Sequence, residues 1–144
     1  IQNYESRSDN RFSDISKREN YLFNSSINGI EEADLIFLIG TNPRYEATIL
    51  NARIRKSYLN NDTKVISLND LGDLTYPYES LDGQTQTLKE IFDGNHEISN
   101  LILSASNPMI ILGAFYDHSR IIQRVGGMPR TPLAHRPNIG LHFK

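Results

Sequence analysis

Asp34-Leu35-Ile36-Phe37-Leu38-Ile39-Gly40-Thr41-Asn42-Pro43 is the stretch from which the architecture of this chain can be read. An unbroken apolar run this short, closed by glycine, is the pattern of a strand covered on both faces in a parallel sheet. After Gly40, Asn42 can cap orphan amides, and Pro43 suits the first helical position, where no amide partner is needed. The pattern predicts one helix from Pro43 to about Leu59. Ala47, Leu50, Ile54 and Tyr58 form its apolar stripe, with Arg53, Arg55 and Lys56 mostly outside it. Asn60-Asn61-Asp62 ends the helix, and Lys64 to Leu68 supplies a second strand. Strand, helix, strand in that order implies a right-handed parallel crossover.

Working outward, Asn69 to Gly83 reads as a partly ordered loop, with Leu71, Leu74, Tyr76 and Tyr78 as anchors and Asp82-Gly83 as a turn. A helix is predicted from about Thr85, with Leu88, Ile91 and Phe92 on one side and Gly94 as its left-handed stop. Asn95 is the expected cap of a second short helix bearing Ile98, Leu101, Ile102 and Ala105. Asn107-Pro108 breaks the chain, and Met109 to Leu112 gives a third strand ending at Gly113. The predicted fold class is α/β, a Rossmann-like three-layer unit with a short parallel sheet of strands near 34–39, 64–68 and 109–112. It occupies residues 20–113, between a polar N-terminal arm over 1–19 and a C-terminal segment over 114–144. That last segment reads as a helix near Asp117 to Val125 and an extended tail rich in proline and glycine. Three strands alone are marginal, so the sheet edges and the tail's Leu133, Ile139, Leu141 and Phe143 are expected to be covered by another polypeptide.

Composition narrows the function. The chain has 144 residues, enough for one core, with 38% hydrophobic and 22% charged residues. Fifteen Lys and Arg against seventeen Asp and Glu give a net charge of -2, too balanced to hold nucleic acid or an anionic membrane by charge alone. Cysteine is absent, so this chain offers no thiolate for a disulfide, a zinc site, a nucleophile or an iron-sulfur cluster. The longest nearly apolar stretches, Ala33 to Gly40 and Met109 to Tyr116, fall far short of the roughly 20 residues that span a bilayer. Residues 1–20 mix both charges, unlike a signal or transit peptide, and Ile1 in place of Met reads as a processed or partial chain. Abundant Ile and Asn with scarce Ala fits AT-rich coding, as in an organelle or an AT-rich microbe.

In open parallel sheets ligands gather where strands end, here at Gly40-Thr41-Asn42-Pro43, Asn69-Asp70 and Gly113-Ala114. With Arg44 beside it, the first turn reads either as a helix cap or as a phosphate site, and it lacks the glycines of G-x-G-x-x-G or G-x-x-x-x-G-K-[ST]. His96, His118, His135 and His142 show no i, i+4 metal pair and read as surface residues. Glu31, Glu32 and Asp34 could work as acid and base, or serve turns and helix ends. Ser25-Ser26 has no nucleophile elbow. Arg53, Arg55 and Lys56 read as a solvated face or a protein contact. No catalytic residue and no metal ligand is expected.

Asn20-Tyr21-Leu22-Phe23-Asn24, Gly29-Ile30-Glu31-Glu32-Ala33-Asp34-Leu35, Ile39 to Ala47, Leu50-Asn51-Ala52-Arg53-Ile54-Arg55-Lys56, Asp73-Leu74-Thr75-Tyr76 and Asn107 to Gly113 together resemble a known family. It is the largest peripheral-arm subunit of respiratory complex I, NADH:ubiquinone oxidoreductase, in its molybdopterin-oxidoreductase-like domain. The wider molybdopterin oxidoreductases share the Ala-Asp-strand-Gly-x-Asn-Pro segment, while Asn-Ala-Arg-Ile-Arg-Lys and Asp-Leu-Thr-Tyr favour complex I. The resemblance implies that Gly40, Thr41, Asn42, Pro43 and Arg44 are a vestigial cofactor loop. It further implies a non-catalytic structural part of the complex, with no cofactor of its own and iron-sulfur clusters on a partner chain. Other peripheral-arm subunits are then the expected partners. The expected place is the matrix side of the mitochondrial inner membrane, or the cytoplasmic side of a bacterial one. The alternative is a fragment of an active molybdopterin-dependent oxidoreductase that still binds a pterin dinucleotide at this loop.

Overall fold

The computed structural model of the chain describes residues 26–113 and 138–141. Within them the α/β reading holds. Strands β1 (Leu35–Ile39), β2 (Lys64–Ser67), β3 (Glu79–Ser80), β4 (Pro108–Leu112) and β5 (Asn138–Leu141) form one sheet in the order β3-β2-β1-β4-β5. Every neighbouring pair is parallel. The sheet is thus wider than the three strands predicted, and the free edge of β4 is taken by the chain's own residues 138–141 rather than by another polypeptide. β3 is only two residues long and both are exposed, so no apolar period marked it. The N-terminal arm and the helix expected near Asp117 to Val125 lie outside the described residues.

Period-two alternation sorts β1, β2 and β4 onto two cores. Leu35, Phe37 and Ile39 join Ile66, Leu68, Ile110 and Leu112 on one face, under helices α3 (Thr85–Asp93) and α4 (Glu97–Ser104) through Leu88, Ile91, Phe92, Ile98 and Ile102. Ile36 and Leu38 join Val65, Met109 and Ile111 on the other face, with Ile30, Ala33, Ile54, Leu74 and Tyr76 above them. β1 and β4 are buried on both faces, as their unbroken apolar runs require. Leu101, placed on the inner side by the sequence, is instead 37% exposed, because α4 turns Ile98 and Ile102 inward at i, i+4.

The helix predicted over Pro43 to Leu59 is two helices, α1 (Pro43–Glu46) and α2 (Thr48–Asn61), separated by Ala47 at φ -149 and ψ 71. One non-helical residue leaves the i, i+3, i+4 stripe intact, so periodicity does not report it. Of that stripe only Ile54 is fully buried; Asn51 and Ser57 share its face, and Leu50 and Tyr58 pack partly against the same core. Gly94 closes α3 at φ 84 as expected, but His96 rather than Asn95 caps α4, its Nδ1 accepting from Ile98 N at 3.3 Å.

The acidic cluster before β1 sets the sheet's register. The Asp34 carboxylate accepts from Ser106 N at 2.6 Å and Asn107 N at 3.0 Å, levelling the starts of β1 and β4. On the other side Thr63 Oγ1 donates to Ala33 O at 2.8 Å, which leaves the Ser57 hydroxyl as donor to Thr63 Oγ1 at 2.6 Å. Glu31, in a 3-10 helix over Asn28–Glu32, pairs with Arg53 and, at 2.7 Å, with Lys56. Two of the three cations read as a solvated face or protein contact are therefore used inside the chain. Lys56 and Arg53 hold the Glu31 carboxyl below its ordinary range. Among the described residues no helix is long and apolar enough to cross a membrane.

Candidate functional site

With β2 on one side of β1 and β4 on the other, the strand order changes direction between β1 and β4. Such sheets hold ligands outside the carboxyl ends of those strands. Two turns meet there. Gly40 leaves β1 at φ 62, a left-handed conformation that side chains resist. Gly113 leaves β4 and donates its amide to Ile39 O at 2.8 Å. A Cβ on Gly113 would stand 1.9 Å from Gly40 O and 2.7 Å from Thr41 Cβ, so the turns approach backbone to backbone and only glycine fits.

The predicted loop residues do come together in this turn, and each is satisfied from within the chain. Thr41, buried, donates its hydroxyl to Glu46 Oε2 at 3.1 Å, and Asn42 N donates to Glu46 Oε1 at 3.2 Å. Both oxygens of one carboxylate thus accept from donors of this turn, the Thr41 hydroxyl and the Asn42 amide. Asn42 caps α1 as expected, Oδ1 accepting from Arg44 N at 3.2 Å, while its Nδ2 donates to Leu71 O at 3.1 Å. Pro43 is buried at the first helical position. The Arg44 guanidinium pairs with the Asp73 carboxylate at 2.6 Å and donates to the Asp73 carbonyl.

The partner of Arg44 belongs to a strap, residues 70–78, that the sequence marked only as a loop with anchors. Its anchors are as predicted: Leu74 and Tyr76 are buried, Leu71 and Tyr78 packed beside them. Its polar framework was not foreseen. Asp70 Oδ1 accepts from Gly72 N at 3.0 Å and from the Tyr78 hydroxyl at 2.8 Å; Asp73 Oδ1 accepts from Thr75 N at 2.7 Å, where Thr75 has φ 75. The Gly72 amide and the Tyr78 hydroxyl lower the Asp70 pKa, and the Thr75 amide and Arg44 lower that of Asp73. Asn51 ties the strap to α2, donating to Leu74 O at 3.1 Å and accepting from the Tyr76 hydroxyl at 2.8 Å. Tyr76 also stacks on Tyr58, ring centroids 6.4 Å apart. Burial pushes the Tyr76 hydroxyl well above the usual tyrosine range, so it remains a hydrogen-bond donor.

Other candidates fall elsewhere. His96 is a helix cap, Asp34 and Glu31 are structural as described, and Ser25, His118, His135 and His142 lie outside the described residues. Among the described residues no group of three His, Asp or Glu is placed to share a metal ion. Glu46, Asn51 and Asp73 are the site residues that the sequence reading missed. The only signals were Asp-x-Gly and Asp-x-Thr spacings that allow Asx turns, and a Glu four residues after a helix cap.

A doubly wound α/β unit with its polar groups gathered at the β1/β4 switch point belongs to the class of nucleotide-type binding folds. Sequence comparison makes the class specific: the chain belongs to the molybdopterin oxidoreductase family, whose family model matches residues 1–124. It is 45% identical over 100 residues to the mitochondrial NADH-ubiquinone oxidoreductase 78 kDa subunit of Neurospora crassa, a match covering 69% of this chain and 13% of that protein. To the mitochondrial NADH dehydrogenase [ubiquinone] iron-sulfur protein 1 of Solanum tuberosum it is 43% identical over 97 residues, 67% of this chain and 13% of the relative. To the NADH-ubiquinone oxidoreductase 75 kDa subunit of Reclinomonas americana it is 38% identical over 125 residues, 87% of this chain and 17% of the relative. The chain therefore spans a small part of the length of the relatives it matches.

Proposed function

We propose that this chain is a non-catalytic structural part of the large peripheral-arm subunit of respiratory complex I, held in the mitochondrion on the matrix side. It packs against cluster-bearing polypeptides and supports electron transfer from NADH to ubiquinone that runs through them. The relatives' names support the complex, and the absence of cysteine from all 144 residues supports the assignment of clusters to other chains. One observation carries the non-catalytic part. The turn after β1 already has its amide and its buried hydroxyl on the Glu46 carboxylate, and its neighbouring cation on Asp73. A pterin dinucleotide brings phosphates, and a carboxylate facing that position repels them. The residues present do not fit the group, and no catalytic step is assigned to it.

Native-gel separation of solubilised mitochondrial membranes tests the reading. The polypeptide should migrate with NADH dehydrogenase activity and copurify with an iron-sulfur subunit; migration away from both removes it. The competing reading, an active pterin-dependent oxidoreductase, draws on the family match itself. It requires stoichiometric molybdenum or tungsten and pterin fluorescence in the purified protein.

A further inference from the structure

We infer that the outer face of α2 seats an amphipathic helix from another polypeptide of the complex, one that brings carboxylates alongside its apolar stripe. The inference deepens the complex I reading by naming a contact face and its chemistry, and it rests on that reading. For a surface helix α2 is built inside out. Asn51 and Ser57 are buried beside Ile54 on its inner side, while Ile49 and Leu59 stand in solvent at 74% and 66% exposure. Ile49, Ala52, Lys56 and Leu59 are all exposed and recur at spacings of three, four and three, the spacing of a seam along which one helix packs on a second. Just ahead of it Tyr45 of α1 is 79% exposed, and tyrosine is enriched where proteins meet. Charge selects the occupant. Arg53 and Lys56 share the single carboxylate of Glu31, and Arg55, exposed beside them, has no ion-pair partner among the described residues. The seam is therefore flanked by more positive than negative charge. A second copy laid on the same face would set these cations against themselves, whereas a helix with Asp or Glu beside its apolar residues pairs with them.

The lack of cysteine in the chain allows a direct test. Ala52→Cys puts a single thiol on the seam, and its labelling by a maleimide is timed in the free full chain and in the purified complex. Labelling should be at least about tenfold slower in the complex, because the reaction needs an accessible thiolate. In a second variant, Arg55→Lys, a carbodiimide joins the new amine to a carboxylate in contact with it. Mass spectrometry should find position 55 joined to an Asp or Glu of another subunit, within a segment of helical apolar period. Both substitutions lie on the exposed side of α2, so the thermal unfolding of the free chain should be unchanged, which secures a folded comparison. Equal labelling rates in the free chain and the complex overturn the docking face while leaving the structural role in complex I standing. So does the lack of a joined peptide at position 55, or one drawn from a second copy or from this chain's own residues 1–25. A polypeptide that never migrates with NADH dehydrogenase activity overturns both the face and the assignment to complex I.

Discussion

Gly113 ends an apolar run, and in the sequence it reads as nothing more than a strand stop. In the fold it is the point where two chain directions meet, and the atoms that a side chain would strike are backbone atoms of Gly40, which cannot swing aside. Gly113→Ala is therefore expected to lower stability by at least about 2 kcal/mol, in the range of overpacking a tight interior. An unchanged urea midpoint would mean that the turns do not touch. Asn51 is the second case, a polar residue on the buried face of α2 that a hydrophobic stripe passes over. It serves Leu74 O and the Tyr76 hydroxyl together. Asn51→Ala strands both groups, at about 1–3 kcal/mol each, while Tyr76→Phe removes only one bond. Thermal unfolding should rank the alanine variant as the less stable, and the double variant should lose less than the sum of the two.

At the scale of elements, the strap over residues 70–78 is a loop folded around two carboxylates. Asp70 and Asp73 both titrate below the ordinary 3.8 in the folded chain. A lowered pKa means that the folded state binds the carboxylate form more strongly. Its contribution is present above 3.8 and is lost as pH falls through the lower folded value. The strap should therefore stay docked at pH 5 and loosen in stronger acid, with the Gly72 and Thr75 amides losing exchange protection first. Protection of those amides that persists in strong acid while the rest of the domain unfolds would contradict it. The α1/α2 break belongs to this scale too. Apolar spacing runs through Ala47 undisturbed, whereas the contacts of α1 are polar: Glu46 reaches back to residues 41 and 42 within its own turn, and Arg44 pairs with Asp73, 29 residues away, which no local window contains.

For the whole molecule, the unexpected result is that the sheet is completed on the β4 side from within the chain. β4 is apolar and buried along its length, Pro108 to Leu112, and its outer backbone groups pair with Asn138–Leu141. Deleting residues 138–144 uncovers that edge, and exposed edge strands template pairing with other chains. The shortened protein should self-associate with rising concentration in sedimentation velocity, while the full chain does not. If both sediment alike, the β4–β5 pairing is not what protects the edge.

Local pattern determined β1, β2, β4, the ends of α3 and the capped turn after β1, because unbroken apolar runs, i, i+3, i+4 spacing and cap residues all act within a few positions of themselves. Tertiary structure alone decided the strand order, the addition of β3 and β5, and the anchoring of Arg44 to Asp73. Those depend on which groups meet once strands far apart in sequence lie side by side. A two-residue exposed strand, a polar residue on a buried face and a carboxylate turned back on its own helix start leave no periodic trace. Their energy comes from pairing and desolvation in three dimensions.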